Sequence, residues 1–140
     1  MRDVRIFIIP GAPQGKGRPR FTRNGHAYTP DKTRSYEDAV RYNYQAQCHY
    51  DPYPKDMPLV VTIEAIFGIP KSDSIKKRQA KLCGLMRPTK KVDADNIAKI
   101  ICDSLNGIAY HDDSQVTTLH VIKGYGIEPC VKVWISKEDV

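Results

Sequence analysis

A chain of 140 residues, 41% hydrophobic and 27% charged, has material for one core and too ordinary a composition for wholesale disorder. No apolar run approaches the roughly 20 residues of a membrane-spanning helix, and Met1-Arg2-Asp3 is not a signal-peptide start, so a soluble, cytoplasmic chain with no membrane partner is expected. The net charge of +6 points to a polyanionic partner.

Residues 4–9 (Val-Arg-Ile-Phe-Ile-Ile) are β-branched and aromatic, which predicts a strand. Residues 10–32 are rich in Pro, Gly, Lys and Arg and predict a loop with turns. A helix is expected next, capped by Thr33 or Ser35, with Tyr36, Ala39, Val40 and Tyr44 near helical spacing and its end near Gln47. The prolines of 51–58 close it off. Residues 59–67 alternate Val61, Ile63, Ala65 and Phe67 with Val60, Thr62, Glu64 and Ile66, a strand with one apolar face. Residues 72–84 suggest a short basic helix whose Lys76, Lys77, Arg78 and Lys81 read as a solvated face.

Residues 96–105 carry the clearest helical pattern, with Ile97, Ile100, Ile101 and Leu105 on one side. Asp95 or Asn96 is the expected N-cap, and Asn106-Gly107 the stop, because glycine takes the left-handed conformation cheaply. Residues 115–123 and 130–135 read as antiparallel strands around a turn at 124–129. The order β-α-β-(α)-α-β-β predicts an α/β (α+β) fold: one small domain over 1–140, a mixed sheet with helices packed on one face. The four cysteines form no C-x-x-C pair and the histidines no metal-spaced set, so buried thiols are expected rather than zinc ligands.

The charge is unevenly spread. Residues 1–50 and 51–91 each hold 9 Lys/Arg against 4 Asp/Glu, whereas residues 92–140 hold 4 against 8. Both signs are needed by a protein that grips phosphate and also holds a divalent metal against it. The acidic share is concentrated between Val92 and Gln115. Asp93 and Asp95, two apart, would leave one face of an extended segment. Asp95, Lys99 and Asp103 then follow at i, i+4 steps, each about 40° round the helix, and Asp112 and Asp113 return before the next strand.

An oxygen-only set of Asp93, Asp95 and one of Asp112 or Asp113 favours Mg2+, with Mn2+ as substitute. Such a metal makes a nucleophile of bound water and offsets charge on a phosphodiester, and a lysine alongside can steady that phosphate. Taken singly, the parts have plainer readings: D-x-D-N as capping chemistry, Lys99 with Asp103 as a solvated pair, Asp-Asp as a turn. Their concentration in one helix-turn unit of a basic chain favours function.

The string Asp93-Ala94-Asp95-Asn96, Lys99, Asp103, Leu105-Asn106-Gly107 and Asp112-Asp113-Ser114-Gln115-Val116 resembles the RusA family of Holliday junction resolvases. Arg18-Pro19-Arg20, Tyr28-Thr29-Pro30 and Tyr36-Glu37 are similar to its phage and prophage members, and the likeness is weakest over 70–86. The resemblance implies a homodimer acting on branched DNA during recombination and repair, with two sites that each nick one strand of a four-way junction in magnesium. It implies metal-binding carboxylates at Asp93, Asp95 and Asp113 and a catalytic lysine at Lys99. Asp112 is the weaker candidate, and Asp103 is expected to support Lys99 or the fold.

Lys16, Arg18, Arg20 and Arg23 on the Gly/Pro loop, with Lys90 and Lys91 just before Asp93, are the expected DNA contacts. Phe21 is read as a core residue rather than a wedge at the branch point. Two other readings stand beside the resolvase: a non-catalytic DNA-binding protein, and a metal nuclease for flaps and forks. A small-molecule phosphohydrolase is the least favoured reading, since no glycine loop cradling phosphate opens a helix, and no small-molecule cofactor is expected.

Overall fold

The computed structural model describes residues 3–139; Met1 and Arg2 of the expected soluble start, and residue 140, lie outside that description. In chain order the elements are strands β1 (Arg5–Pro10), β2 (Arg20–Phe21) and β3 (Ala27–Tyr28), helix α1 (Asp31–Gln47), and strand β4 (Leu59–Gly68). Helices α2 (Ile75–Leu82) and α3 (Ala94–Ser104) follow, then a short 3-10 turn (Asp113–Gln115) and strands β5 (Val116–Gly126) and β6 (Cys130–Lys137).

Alternation decides which side of the sheet is covered. β1 buries Arg5, Phe7 and Ile9, β4 buries Leu59, Val61, Ile63 and Ala65, and β6 buries Val131, Val133 and Ile135. The register aligns these sets across the sheet: Phe7 lies opposite Val133, Val133 opposite Ile63, and Ile63 opposite Val121. One apolar face therefore runs across four strands, and α1 and α3 close it with Tyr36, Val40, Tyr44, Ile97, Ile100, Ile101 and Leu105. Side chains this deeply buried contribute roughly 1.5–3 kcal/mol each relative to exposure. The expected mixed sheet with helices on one face is what forms.

The strand order is β1-β6-β4-β5, with β4 parallel to β5 and antiparallel to β6. This corrects the expectation for the last two strands. β5 and β6 do run in opposite directions, but β4 lies between them and pairs with both. The physical reason is burial: Leu59, Val61, Ile63 and Ala65 of β4 are fully covered, which suits a central strand, whereas β5, with exposed Thr117 and His120, tolerates an edge.

The helix starts also differ from expectation. α1 begins at Asp31 after Pro30, so Thr33 and Ser35 lie inside it, and Thr33 is buried. α3 begins at Ala94 with Asp93 as its cap residue, two or three positions earlier than expected. Asp95 is thus already helical, and the extended geometry proposed for Asp93 and Asp95 does not hold. α3 ends as foreseen: Gly107 has φ of 76°, and its N–H donates to the Tyr110 carbonyl. In α2, capped by Ser74, Lys81 is not solvated; it is buried, paired with Asp73 and set over the Tyr125 ring.

Candidate active site

α3 positions the site because its apolar stripe is fixed in the core. With Ile97, Ile100 and Ile101 pinned inward, Asp95, Lys99 and Asp103 must face outward on the neighbouring stripe. After the Gly107 turn, the chain returns through Tyr110, whose hydroxyl donates to the Cys102 carbonyl at 2.7 Å. That contact sets the next residues against the helix. Asp95, Lys99, Asp103 and Asp113 then line one hollow of about 460 Å³, floored by Ala98, Cys102, Val116 and Leu119.

The two adjacent aspartates after the turn have separate tasks. The Asp112 carboxylate accepts from the Ser114 N–H at 3.0 Å, and Gln115 accepts in return from the His111 and Asp112 amides. This capping box holds the Asp112 carboxyl below the usual carboxylate range, through the Ser114 hydrogen bonds. Gln115 also donates to the Pro54 and Met57 carbonyls, tying the turn to the segment before β4. Asp113 instead faces the hollow. Burial pushes its carboxyl up from the ordinary value; a hydrogen bond with Asp103 and the charges of Asp112 and Asp103 act in the same direction, and Asn106 opposes them. The floor thiol of Cys102 is pushed up to about 11, chiefly by burial, and stays neutral.

A second hollow, about 510 Å³, opens on the other side of the first turn of α3. Arg18, Arg20, Lys32, Lys91, Asp93 and Asn96 are among its lining. The segment at 15–17 runs along its base with almost no clearance. A Cβ on Gly15 would stand 2.6 Å from Val92, and one on Gly17 would stand 2.4 Å from the Thr33 hydroxyl, so only glycine fits at either place. Beyond it, β2 and β3 form a small hairpin closed by the turn at Thr22 and Gly25.

The structure sorts the expected residues as follows. Asp95, Lys99 and Asp113 come together. Asp93 sits on the same helical turn but lines the neighbouring hollow, and among the described residues no three His, Cys, Asp or Glu side chains converge on one point. Asp103, expected to support Lys99 or the fold, forms its ion pair with Lys16, at 3.4 Å, and not with Lys99. Lys16 itself is not free for phosphate, since its ammonium also contacts Glu37 at 2.8 Å. Burial alone would lower its pKa, but Glu37 and Asp103 outweigh that and raise it.

Arg18, Arg20, Arg23, Lys90 and Lys91 are exposed, as phosphate contacts should be. Phe21 is 70% exposed, which corrects its assignment to the core: strands of two residues cannot carry it that far. Sequence reading missed Lys32, Asn96, Asn106 and Glu37 as neighbours of the site. The position of Lys32 in the first turn of a helix that follows a basic loop was a usable signal; Glu37 figures only in the Tyr36-Glu37 likeness, which gives it no role at the site.

The donor chemistry fits a hard divalent ion. The charged lining of the first hollow is three carboxylates and one ammonium, with no imidazole and only a neutral thiol. Magnesium keeps several waters and is commonly held through only one or two protein carboxylates, and Asp95 and Asp113 both line this hollow.

The family model for the endodeoxyribonuclease RusA matches residues 10–136. The protein YqaN of Bacillus subtilis (strain 168), described as uncharacterized, is 38% identical over 140 residues, covering 96% of this chain and 97% of its own.

Proposed function

From the premise that this chain belongs to the RusA family, whose members are endodeoxyribonucleases that resolve Holliday junctions, we propose that it cuts four-way junctions in magnesium through the groove of Asp95, Lys99 and Asp113. The observation that carries this reading is the meeting of two opposite surfaces on the first turn of α3. Carboxylates and a lysine lie on one side, and exposed arginines and lysines on the other.

Asp93, Asp95 and Asp113 are the metal-binding set in this reading, with Asp95 and Asp113 lining one hollow and Asp93 lining the basic one beside it. Magnesium, or manganese in its place, would supply an activated water and offset charge on the scissile phosphate. The chain's own residues do the rest. Lys99 is exposed beside Asp95 and free to approach a phosphoryl oxygen as negative charge accumulates there. Arg18, Arg20, Lys90 and Lys91 hold the strand against the groove, Arg23 extends the grip along the hairpin, and Asp112 keeps Asp113 in place through the capping box. No helix among the described residues is long and apolar enough to cross a membrane. Residues 1–140 act as one nuclease domain without a small-molecule cofactor, and a homodimer supplies the two cuts that resolution needs.

The test is incubation with an immobile four-way junction, a flap and a matched linear duplex, with and without magnesium, alongside Asp95→Asn. Paired symmetric nicks in the junction alone, absent without metal and in the variant, are expected. Equal cutting of flap and duplex would remove the junction selectivity. Tight junction binding without cleavage in either metal would sink the catalytic reading.

A further inference from the structure

We infer that Lys16 is a positioning residue for the acidic groove and not a phosphate contact. Its ammonium sits between two carboxylates from different helices, 2.8 Å from Glu37 of α1 and 3.4 Å from Asp103 of α3. Glu37 is buried in that contact, so drawing Lys16 out to a DNA backbone would leave a buried carboxylate with no counter-charge. The backbone is held at the same place. The Lys16 N–H donates to the Asn96 carbonyl at 3.2 Å and the Gly17 N–H to the Thr33 hydroxyl at 3.1 Å, while Gly15 and Gly17 make the close approach possible.

Asp103 is the link to chemistry. It contacts Lys16 on one side and lines the same hollow as Asp113 on the other. A chain of side chains therefore runs from Glu37 through Lys16 and Asp103 to Asp113, tying together α1, the basic loop, α3 and the turn before β5. Without the lysine, Asp103 loses the ammonium that holds its rotamer on the wall it shares with Asp113. The same residue anchors the loop from which Arg18, Arg20 and Arg23 project. Lys16 thus fixes the spacing between the surface that holds DNA and the groove that cuts it.

This inference rests on the nuclease reading for the role of Asp113, and its test separates the two. Lys16→Met, Lys16→Arg, Glu37→Gln and the Lys16→Met/Glu37→Gln double variant are compared with the parent protein. For Lys16→Met, junction affinity without divalent metal should stay within about twofold and keep its salt dependence, while the cleavage rate at saturating junction falls about tenfold or more. Lys16→Arg should recover much of that rate. The double variant should be no slower than Lys16→Met, because both changes break one contact. Hydrogen exchange reads the tether without any nuclease activity: the amides of residues 16 and 17 should exchange about tenfold faster in Lys16→Met, with those of α3 unchanged.

Weakened binding with a salt slope smaller by about one, at an unchanged saturated rate, would make Lys16 a phosphate contact and overturn the inference. Unaltered exchange at residues 16 and 17 would overturn it as well. If the parent protein cuts no junction, the nuclease reading fails by itself, and the exchange measurement still decides whether Lys16 is the anchor.

Discussion

The two sides of the candidate site are built on opposite plans. α3 carries the acids and Lys99 on a helix whose other side, Ile97, Ile100 and Ile101, is wholly buried, so its outward residues are placed as a by-product of core packing. The hairpin of β2 and β3 has every residue exposed and two-residue strands that pair only with each other. Geometry is stiff where bonds would be broken and compliant where a variable backbone would be gripped. Catalysis loses heavily to small displacements, whereas phosphate binding tolerates them.

Changing the rigid side should have the largest effect. Lys99→Met should slow single-turnover junction cleavage by about 10²–10³ while leaving folding and metal-free binding near the parent's, since the side chain is exposed. Equal loss of binding would show that Lys99 grips rather than acts. Ile100→Ala should lower stability in urea unfolding by about 2–5 kcal/mol. A cost below about 1 kcal/mol would mean that α3 is not seated as the comparison requires.

The compliant side should respond more gently and in a different quantity. Arg20→Ala and Arg23→Ala should each weaken junction binding and reduce the salt slope by about one, with the saturated cleavage rate retained. A change in that rate would place the hairpin within the chemistry. Smaller still is the acid response of α2, which borders β5. Lys81 holds the Asp73 carboxyl below its usual range, so this pair's contribution is complete above the unfolded value of about 4 and fades as pH falls through the depressed one. Carboxyl NMR should find the Asp73 midpoint below the ordinary Asp value, and Lys81→Met should move it upward. Phe21→Ala should alter stability by no more than about 0.5 kcal/mol; a larger loss would mean that the exposed ring is seated after all.

What the sequence disclosed follows the range of the forces involved. Local periodicity exposed α3 and β4, and the spacing of Asp95, Lys99 and Asp113 survived folding because one short turn joins them. Long-range pairings were hidden. Nothing near Lys16 tells that Glu37 will bury against it, because that contact depends on how α1 crosses the loop. The insertion of β4 between β5 and β6 was equally hidden, since the turn joining the last two strands looks like any hairpin turn until burial of β4 is counted. Phe21 was misplaced because hydropathy ignores reach: a ring on a short hairpin can be apolar and still have no core within range.

The strand order also dictates when the sheet can close. β1 has a single neighbour in the sheet, β6, and the pairing joins Arg5 to Ile135, nearly the full span of the chain. On a ribosome, β1 emerges before the other strands and waits unpaired until β6 is made, while β4 lacks both partners until β5 is made and one of them until β6 follows. Contacts of such long sequence separation slow folding, and bare strand edges invite pairing with other chains. The nascent protein is therefore most prone to aggregate just before its last strand is released, and a chain cut short of β6 would leave the edges of both β1 and β4 open at once.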